Sequence, residues 1–494
     1  MSTFSYSIDQ IDKIFESTSR NGQIRKDWLK LNDYDVDVIY DQLAKDRKKF
    51  KKEKKEEEKK TNKNVNYISE LEETLNKNLE EKQNIEQEIK KEVLQHILKH
   101  DFTIKVIQKW HDDSGKYIYV TGNDRDSFFA CKIINDELQK TYKINQPNRN
   151  IILKNLMLLL SDKVDKMIVR GDIKSFFESI PRNKLCMKIE KDGVVSHRSI
   201  KLMKRLFYEL SQKYNYSDGV PRGISFSPSL ANIYLRDIDT KISQLNGIYL
   251  YQRYVDDVII IASPTTDTPT AKSLFSKVER IFKDRELILH PEGDGEKYMA
   301  EDIHYDIPQK IVFDYLGYNI TLNTQTANIK YKLTKNRIDK YTQQIDKVIN
   351  YYKHVATHNP RENPKKIKRD GKVMRHRQPL YRLNKLLGYL TRNYYLGGAK
   401  SNILSGVYFK HSMLTDITQL EQLDKILYEK FHTEITQKMF DDKFTDKEFV
   451  NKLRNKIHQE YSFEKGFTER RMCHLTSADF KMVKHVLQYE ETEN

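Results

Sequence analysis

The chain has 494 residues and carries 87 Lys and Arg against 71 Asp and Glu, a formal net charge of +16; the length admits roughly two to four domains and the charge favours a polyanionic partner. Its three cysteines, Cys131, Cys186 and Cys473, are far apart and form no CxxC pair, which argues against a thiolate zinc site or a disulfide framework and fits a reducing compartment. No stretch approaches the roughly 18 apolar residues of a membrane span, and the opening MSTFSYSIDQIDKIF has no apolar leader core, so a cytoplasmic chain with no membrane partner is expected.

Residues 1–44 predict a small helical element, with Ile8, Ile11 and Ile14 at helical spacing and Trp28 and Leu29 beyond them. Residues 46–60, DRKKFKKEKKEEEKK, are almost all charged. Then Ile68, Leu71, Leu75 and Leu79, followed by Ile85, Ile89, Val93 and Ile97, recur in steps of three and four. The pattern predicts one long charged amphipathic helix over 45–100. Its narrow stripe suits either self-association or a seat on the chain's own body, the second being preferred. After about residue 100, β-prone runs alternate with helices: KYIYV at 116–120, KMIVRGDI at 166–173, IYLYQRY at 248–254 and DVIIIA at 257–262. From about residue 331 the pattern is helical. Ile338, Tyr341, Ile345, Val348, Ile349 and Tyr352 share one face, and further helices are expected at 380–396, 417–438 and 446–459, with a basic loop at 364–379. The whole reads as an α+β chain: a helical N-terminal arm, a mixed centre over 101–330, and an all-helical C-terminal third over 331–494.

Tyr254-Val255-Asp256-Asp257 lies between two β-prone runs and reads as a tight hairpin turn that puts both carboxylates at the tip. Two adjacent aspartates are costly to bury without cations, so they are expected to be exposed or to bind metal. Upstream, Arg170-Gly171-Asp172-Ile173-Lys174-Ser175-Phe176-Phe177 ends another apolar strand in a carboxylate. Two such strands side by side would let their oxygens share two hard cations, the requirement for two-metal nucleotidyl transfer.

The D-I-x-x-F-F run followed by Y-V-D-D resembles motifs A and C of reverse transcriptases. Between them Gly219-Val220-Pro221-Arg222-Gly223-Ile224-Ser225-Phe226-Ser227-Pro228-Ser229-Leu230-Ala231-Asn232 is similar to motif B, a Pro-x-Gly turn entering a helix of small residues. Lys297 stands where motif D has its lysine, and Phe313-Asp314-Tyr315-Leu316-Gly317-Tyr318 resembles motif E. The resemblance implies a right-hand polymerase with fingers and palm over 101–330 and a helical, thumb-like or repeat-like domain over 331–494. It implies that Asp172, Asp256 and Asp257 are the catalytic carboxylates: Asp172 and Asp256 bridge two Mg²⁺ ions, with Mn²⁺ as a substitute, Asp257 is a supporting metal ligand and electrostatic balance, and the Ile173 carbonyl completes a coordination shell. It further implies that Phe177 is a steric gate favouring dNTPs, that Lys143, Arg149, Arg222, Gly223 and Lys297 contact the nucleotide, and that Tyr315, Leu316 and Gly317 grip the primer. Lys143 and Arg149 flank the turn-like Ile144-Asn145-Gln146-Pro147-Asn148, which is expected to form a hairpin for the triphosphate. Arg222 departs from the glutamine common in the family, which opens the question of template reliance.

Pro221-Arg222-Gly223-Ile224-Ser225, with the segment Leu386 to Tyr395, resembles the bacterial unknown-group and abortive-infection reverse transcriptases. That branch implies a partner noncoding RNA, a DNA product made from dNTPs, a ring-like homo-oligomer or a protein primer in some members, and a role in defence against phage. A retron or group II intron-like reverse transcriptase, an RNA-dependent RNA polymerase, and a catalytically idle RNA-binding palm remain open as alternatives.

Overall fold

The computed structural model describes residues 6–20, 24, 28, 30–31, 34–57, 65–111, 115–145, 147–358, 377–396, 403–436 and 447–488. The arm begins with α1 (Ile8–Arg20) and a short ribbon of β1 (Lys30–Leu31) and β2 (Tyr34–Asp35). The single helix expected over 45–100 is instead a pair, α2 (Val36–Glu57) and α3 (Val65–Leu98). Asn78 donates to Asp46 at 2.8 Å and Tyr67 donates to Glu53, so the two helices run antiparallel. One continuous helix would hold Leu71, Leu75 and Leu79 in water; in the paired arrangement they are half-buried. Further along α3, Ile89, Val93 and Ile97 enter the same core as Ile11, Ile14 and Phe15 of α1. The stripe is thus seated on the chain's own body there.

After the arm come the ribbon β3 (Ile107–His111) and β4 (Lys116–Val120), then α4 (Arg125–Thr141) and α5 (Arg149–Leu160). The central sheet takes β5 (Lys166–Asp172), β6 (Ile248–Tyr254), β7 (Asp257–Ala262) and β8 (Tyr298–Ile303), antiparallel in the order β6-β7-β5-β8. Between β5 and β6 come α6 (Phe176–Ser179), α7 (Arg182–Asp192), α8 (His197–Tyr214) and α9 (Ser227–Ser243); α10 (Ala271–Lys283) follows β7.

This sheet divides two apolar cores formed by the described residues. Met167 and Val169 of β5 and Val258 and Ile260 of β7 face the core shared with the arm and α9. Their alternating neighbours Ile168, Ile259 and Ile261 face the second core. Burial on both faces explains why these strands read as continuous apolar runs. The second core is built with α5, the meander β9 (Lys310–Tyr315), β10 (Tyr318–Asn323) and β11 (Asn328–Leu333), and the C-terminal helices.

Those helices are α11 (Lys335–His358), α12 (Arg377–Thr391), α13 (Val407–Lys410), α14 (Thr418–Phe431), α15 (Lys447–Glu460), α16 (Phe463–Thr468) and α17 (Ser477–Gln488). The region is not all helical. The helix expected to run to 396 stops at Thr391, and β12 (Asn393–Tyr395) pairs with β13 (Leu404–Gly406). Asn393 is buried; its amide donates to the Gly466 carbonyl at 2.8 Å and its side-chain oxygen accepts from the Tyr408 amide at 2.9 Å. These distant partners stop the helix where local periodicity would continue it. Most of the basic loop expected at 364–379 lies outside the described residues, and its end, from Arg377, opens α12.

Candidate active site

Tyr254 pairs with Asp257, leaving Val255 and Asp256 as a two-residue hairpin loop. Val255 has φ of 62°, a left-handed conformation that a β-branched residue adopts only under constraint. Across the sheet Asp172 is in register with Asp257. The Ile173 amide donates to the Asp256 carbonyl at 3.1 Å, fastening the end of β5 to the hairpin tip. The α+β fold therefore brings all three aspartates to one end of two neighbouring strands.

They are not equivalent. Both Asp257 oxygens accept from Arg170, from Nε at 2.9 Å and from a terminal nitrogen at 2.9 Å. Arg170 and Asp172 project from the same face of β5, two residues apart. The guanidinium also donates to the Asp314 carbonyl and lies 5.6 Å from the Tyr315 ring centroid. Burial pushes the Asp257 carboxyl up, and Arg170 opposes that rise. Asp257 is thus held as a charge partner, with its oxygens turned to arginine.

Asp172 has a different environment. Burial first, then the charges of Asp256 and Asp257, push its carboxyl up to about 6, against Lys297 and His290. His290 Nε2 lies 3.4 Å and Lys297 Nζ 3.9 Å from Asp172 Oδ1. The His290 amide donates to the Asp172 carbonyl at 2.9 Å. Positive groups gather where crowded carboxylates need neutralising. Asp172 and Asp256 supply hard oxygen donors there, a set that fits Mg²⁺ or Mn²⁺.

Phe177 sits half-buried on α6, its ring 5.2 Å from the Arg222 guanidinium carbon. Arg222 donates to both oxygens of Glu178, at 2.5 and 3.1 Å, and Lys116 Nζ approaches Glu178 at 3.3 Å. The extra cation of the Pro-Arg-Gly turn therefore arrives already paired. The Arg222 carbonyl accepts from the Tyr119 amide at 2.7 Å. Gly223 follows at φ +91°, and a Cβ there would stand 2.6 Å from the Tyr119 carbonyl oxygen, so only glycine fits.

Other expected contacts are relocated. The segment around Lys143 and Arg149 is no strand hairpin; it joins α4 to α5, with Asn148 capping α5 and Gln146 outside the described residues. A helix cap at Asn148, accepting from the Asn150 amide, takes the polar residues that suggested a turn. Lys143 is exposed there, whereas Arg149 turns to the C-terminal region and donates to the Lys410 carbonyl at 3.1 Å. Tyr315 is only 1% exposed because it faces inward on β9 with Ile311 and Phe313. It backs Arg170 and cannot offer its ring to a primer. Leu316 (φ 46°) and Gly317 (φ 77°) form the β9–β10 turn.

Arg170, His290 and Glu178 were not marked by the sequence. Arg170 carried a signal, since strand alternation puts it on the face of Asp172. His290 carried none; its irregular segment lies beside the end of β5, bridged at Ile173 and Leu289. A separate group, Asp165, His304 and Asp306, brings its ligand atoms within 4.8 Å at the opposite end of the sheet, with Asp165 and Asp306 exposed.

Residues 127–320 match the family model described as "Reverse transcriptase (RNA-dependent DNA polymerase)". The stretch from α4 to β10 thus carries a reverse-transcriptase domain. Among curated proteins, an uncharacterized 91 kDa protein in a cob intron of Schizosaccharomyces pombe is 35% identical over 88 residues, covering 17% of this chain and 11% of that protein. The group II intron-encoded protein LtrA of Lactococcus lactis subsp. cremoris is 31% identical over 119 residues, covering 24% of this chain and 18% of LtrA. The matches span less than a fifth of these relatives. Telomerase of Candida tropicalis, in its apo form, aligns at TM-score 0.33 and 12% identity over 79% of this chain and 66% of its own. Telomerase of Candida albicans, with a fragment of telomeric RNA, aligns at 0.31 and 11% over 72% and 54%. Likeness this distant carries no further argument. No described helix is long and apolar enough to cross a membrane.

Proposed function

We propose that the chain is an RNA-directed DNA polymerase that extends a DNA strand from dNTPs at Asp172 and Asp256. The observation that carries this reading is the register of Asp172 against Asp257 with Asp256 at the adjoining turn. In this reading Asp172 and Asp256 hold two Mg²⁺ ions, which when bound supply a lowered pKa at the attacking hydroxyl and charge neutralisation at the leaving pyrophosphate. The Ile173 carbonyl stands beside them as a further oxygen donor. Asp257 acts as a positioning residue that orders Arg170 and the end of β7. Phe177 closes the space beside the sugar, held by the Arg222–Glu178 pair, while Gly223 lets the backbone approach the nucleotide. Lys297 puts a positive charge beside Asp172, and Leu316 and Gly317 face the primer.

Domain roles follow: an arm that reaches to the start of α2, the helix pair α2 and α3, fingers and palm over 101–330, and a thumb-like region over 331–494. The partner is a noncoding RNA, and the Pro-Arg-Gly-Ile-Ser turn favours a bacterial antiphage role, with a homo-oligomer as one form of the active species. The test is deoxynucleotide incorporation by purified protein, with and without co-purified RNA, beside Asp256→Ala/Asp257→Ala. Loss in the double variant supports the reading, and protease or RNase treatment of the product distinguishes protein from RNA priming. No incorporation under any condition, with RNA still bound, favours the idle palm. Phe177→Ala is expected to raise ribonucleotide use about tenfold or more relative to dNTPs, measured as a ratio of kcat/KM values; an unchanged ratio removes the gate.

A further inference from the structure

A cavity of about 470 Å³ opens between the start of α5, the helices α11 and α12, and α13. Its size is that of sites for small organic molecules. Four cationic side chains line it: Arg149, Arg337, Lys340 and Lys410. They come from three separate stretches of chain, and no carboxylate is among the described lining residues.

The cations crowd one another. Arg149 and Arg337 both approach the ring of Tyr318, with guanidinium carbons 5.1 and 5.7 Å from its centroid. Burial and then Arg149 lower the pKa of Arg337. Arg149 Nε is buried without a hydrogen-bond acceptor among the described residues. His411, also in the lining, is held down to about 3 by burial, then by Arg337, Lys410 and Arg149. It therefore stays neutral, with Nδ1 accepting from Arg337 at 3.0 Å and Nε2 donating to the Tyr341 hydroxyl at 2.8 Å. Positive potential of this kind, without a counter-charge, destabilises the free protein and favours an anion.

Aromatic side chains share the lining. Tyr254 does so one residue before the Val255–Asp256 turn, so the cavity adjoins the carboxylates. Tyr389 lies on the α12 side, with Lys410 Nζ 5.3 Å from its ring centroid. Arginine forks suit phosphate oxygens, and rings suit a base or ribose.

We propose that this cavity binds the phosphate of one nucleotide unit, separately from the nucleotide held at the aspartates. The unit comes either from a free nucleotide or from a nucleic-acid strand; the proposal deepens the polymerase reading by naming a second phosphate site beside it. Bound phosphate would bridge α5 to α11 and α13.

The test is calorimetric titration of the full chain in EDTA, which silences any metal-dependent site. One arm uses dATP and the other a 5′-phosphorylated trithymidylate. Saturable binding in at least one arm is expected, weakened about tenfold or more by Lys340→Glu/Lys410→Glu and retained by Lys340→Arg/Lys410→Arg. Both lysines are exposed, and melting curves check that each variant folds. Lys48→Glu/Lys51→Glu on α2 makes the same change in net charge and is expected to leave binding intact. A preference for dATP identifies a free nucleotide as the source, and a preference for the trinucleotide identifies a strand. No binding in EDTA, or equal loss in both glutamate pairs, overturns the proposal. Asp256→Asn, which keeps the Arg170–Asp257 pair, is expected to bind normally, so a failed incorporation assay and a failed pocket remain distinguishable.

Discussion

The carboxylate end of the central sheet and the cation-lined cavity meet at Tyr254, yet they are assembled in opposite ways. The first is made by two neighbouring strands and a two-residue turn, so backbone register alone brings its acids together. The second gathers Arg149, Arg337 and Lys410 from stretches far apart in the chain, and only packing of the C-terminal helices against α5 closes it. Each concentrates one sign of charge. The acids are relieved by Arg170, His290 and Lys297, whereas the cations have no acidic side chain among the described lining residues. A site with its counter-charges built in is held ready, while one without them depends on what enters.

The largest contrast is expected from Asp256→Asn. Loss of a donor oxygen should lower dNTP incorporation about a thousandfold or more, while the melting temperature in EDTA holds or rises because carboxylate repulsion falls. A large drop in melting temperature would instead make Asp256 structural. Arg170→Leu attacks the built-in counter-charge. It leaves Asp257 buried and unpaired and should cost about 3 to 4 kcal/mol in urea unfolding, and adding Asp257→Asn should restore part of that loss. If the double variant is no more stable than the single, the pair is not what holds the strand ends.

On the cationic side, Gly317→Ala would place its Cβ 2.2 Å from a terminal nitrogen of Arg337 at a φ of +77°. About 2 kcal/mol of destabilisation is expected from the left-handed backbone, together with weaker anion binding as Arg337 is displaced; unchanged anion binding would mean that the guanidinium moves aside freely. The smallest effect concerns pH. His411 has a folded pKa near 3, below its ordinary 6.5. The unfolded chain therefore binds the extra proton between these values, so this group's contribution to stability is full above about pH 6.5 and is lost as pH falls toward 3. The slope approaches about 1.4 kcal/mol per pH unit. His411→Gln keeps an acceptor for Arg337 and a donor for Tyr341, and should flatten the acid limb of stability against pH without shifting its neutral plateau. An unaltered acid limb would show that His411 does not titrate there.

Legibility in the sequence followed the length scale of the interaction. The strands ending in Asp172 and beginning at Asp257, the Val255–Asp256 turn, the Pro-Arg-Gly turn and the Leu316–Gly317 turn are all short-range features that residue type and spacing make plain. The break at Asn393 was not, because its amide bonds to Gly466, and neither was the folding back of α2 on α3, because an amphipathic stripe does not say what covers it. Arg149 misled for a related reason: a basic residue after Pro-Asn looks the same in a phosphate-holding turn and at a capped helix start.

By itself, the sequence determined the α+β order of elements and the places where carboxylates end strands, since periodicity, turn chemistry and side-chain alternation are local properties of the chain. Only the tertiary structure decided that Asp257 faces Arg170, that Arg222 is neutralised by Glu178, that His290 and Lys297 stand at Asp172, and that four cations share a cavity. Those outcomes depend on which side chains from distant segments come within Coulomb range in a partly buried environment. A linear pattern does not encode that distance.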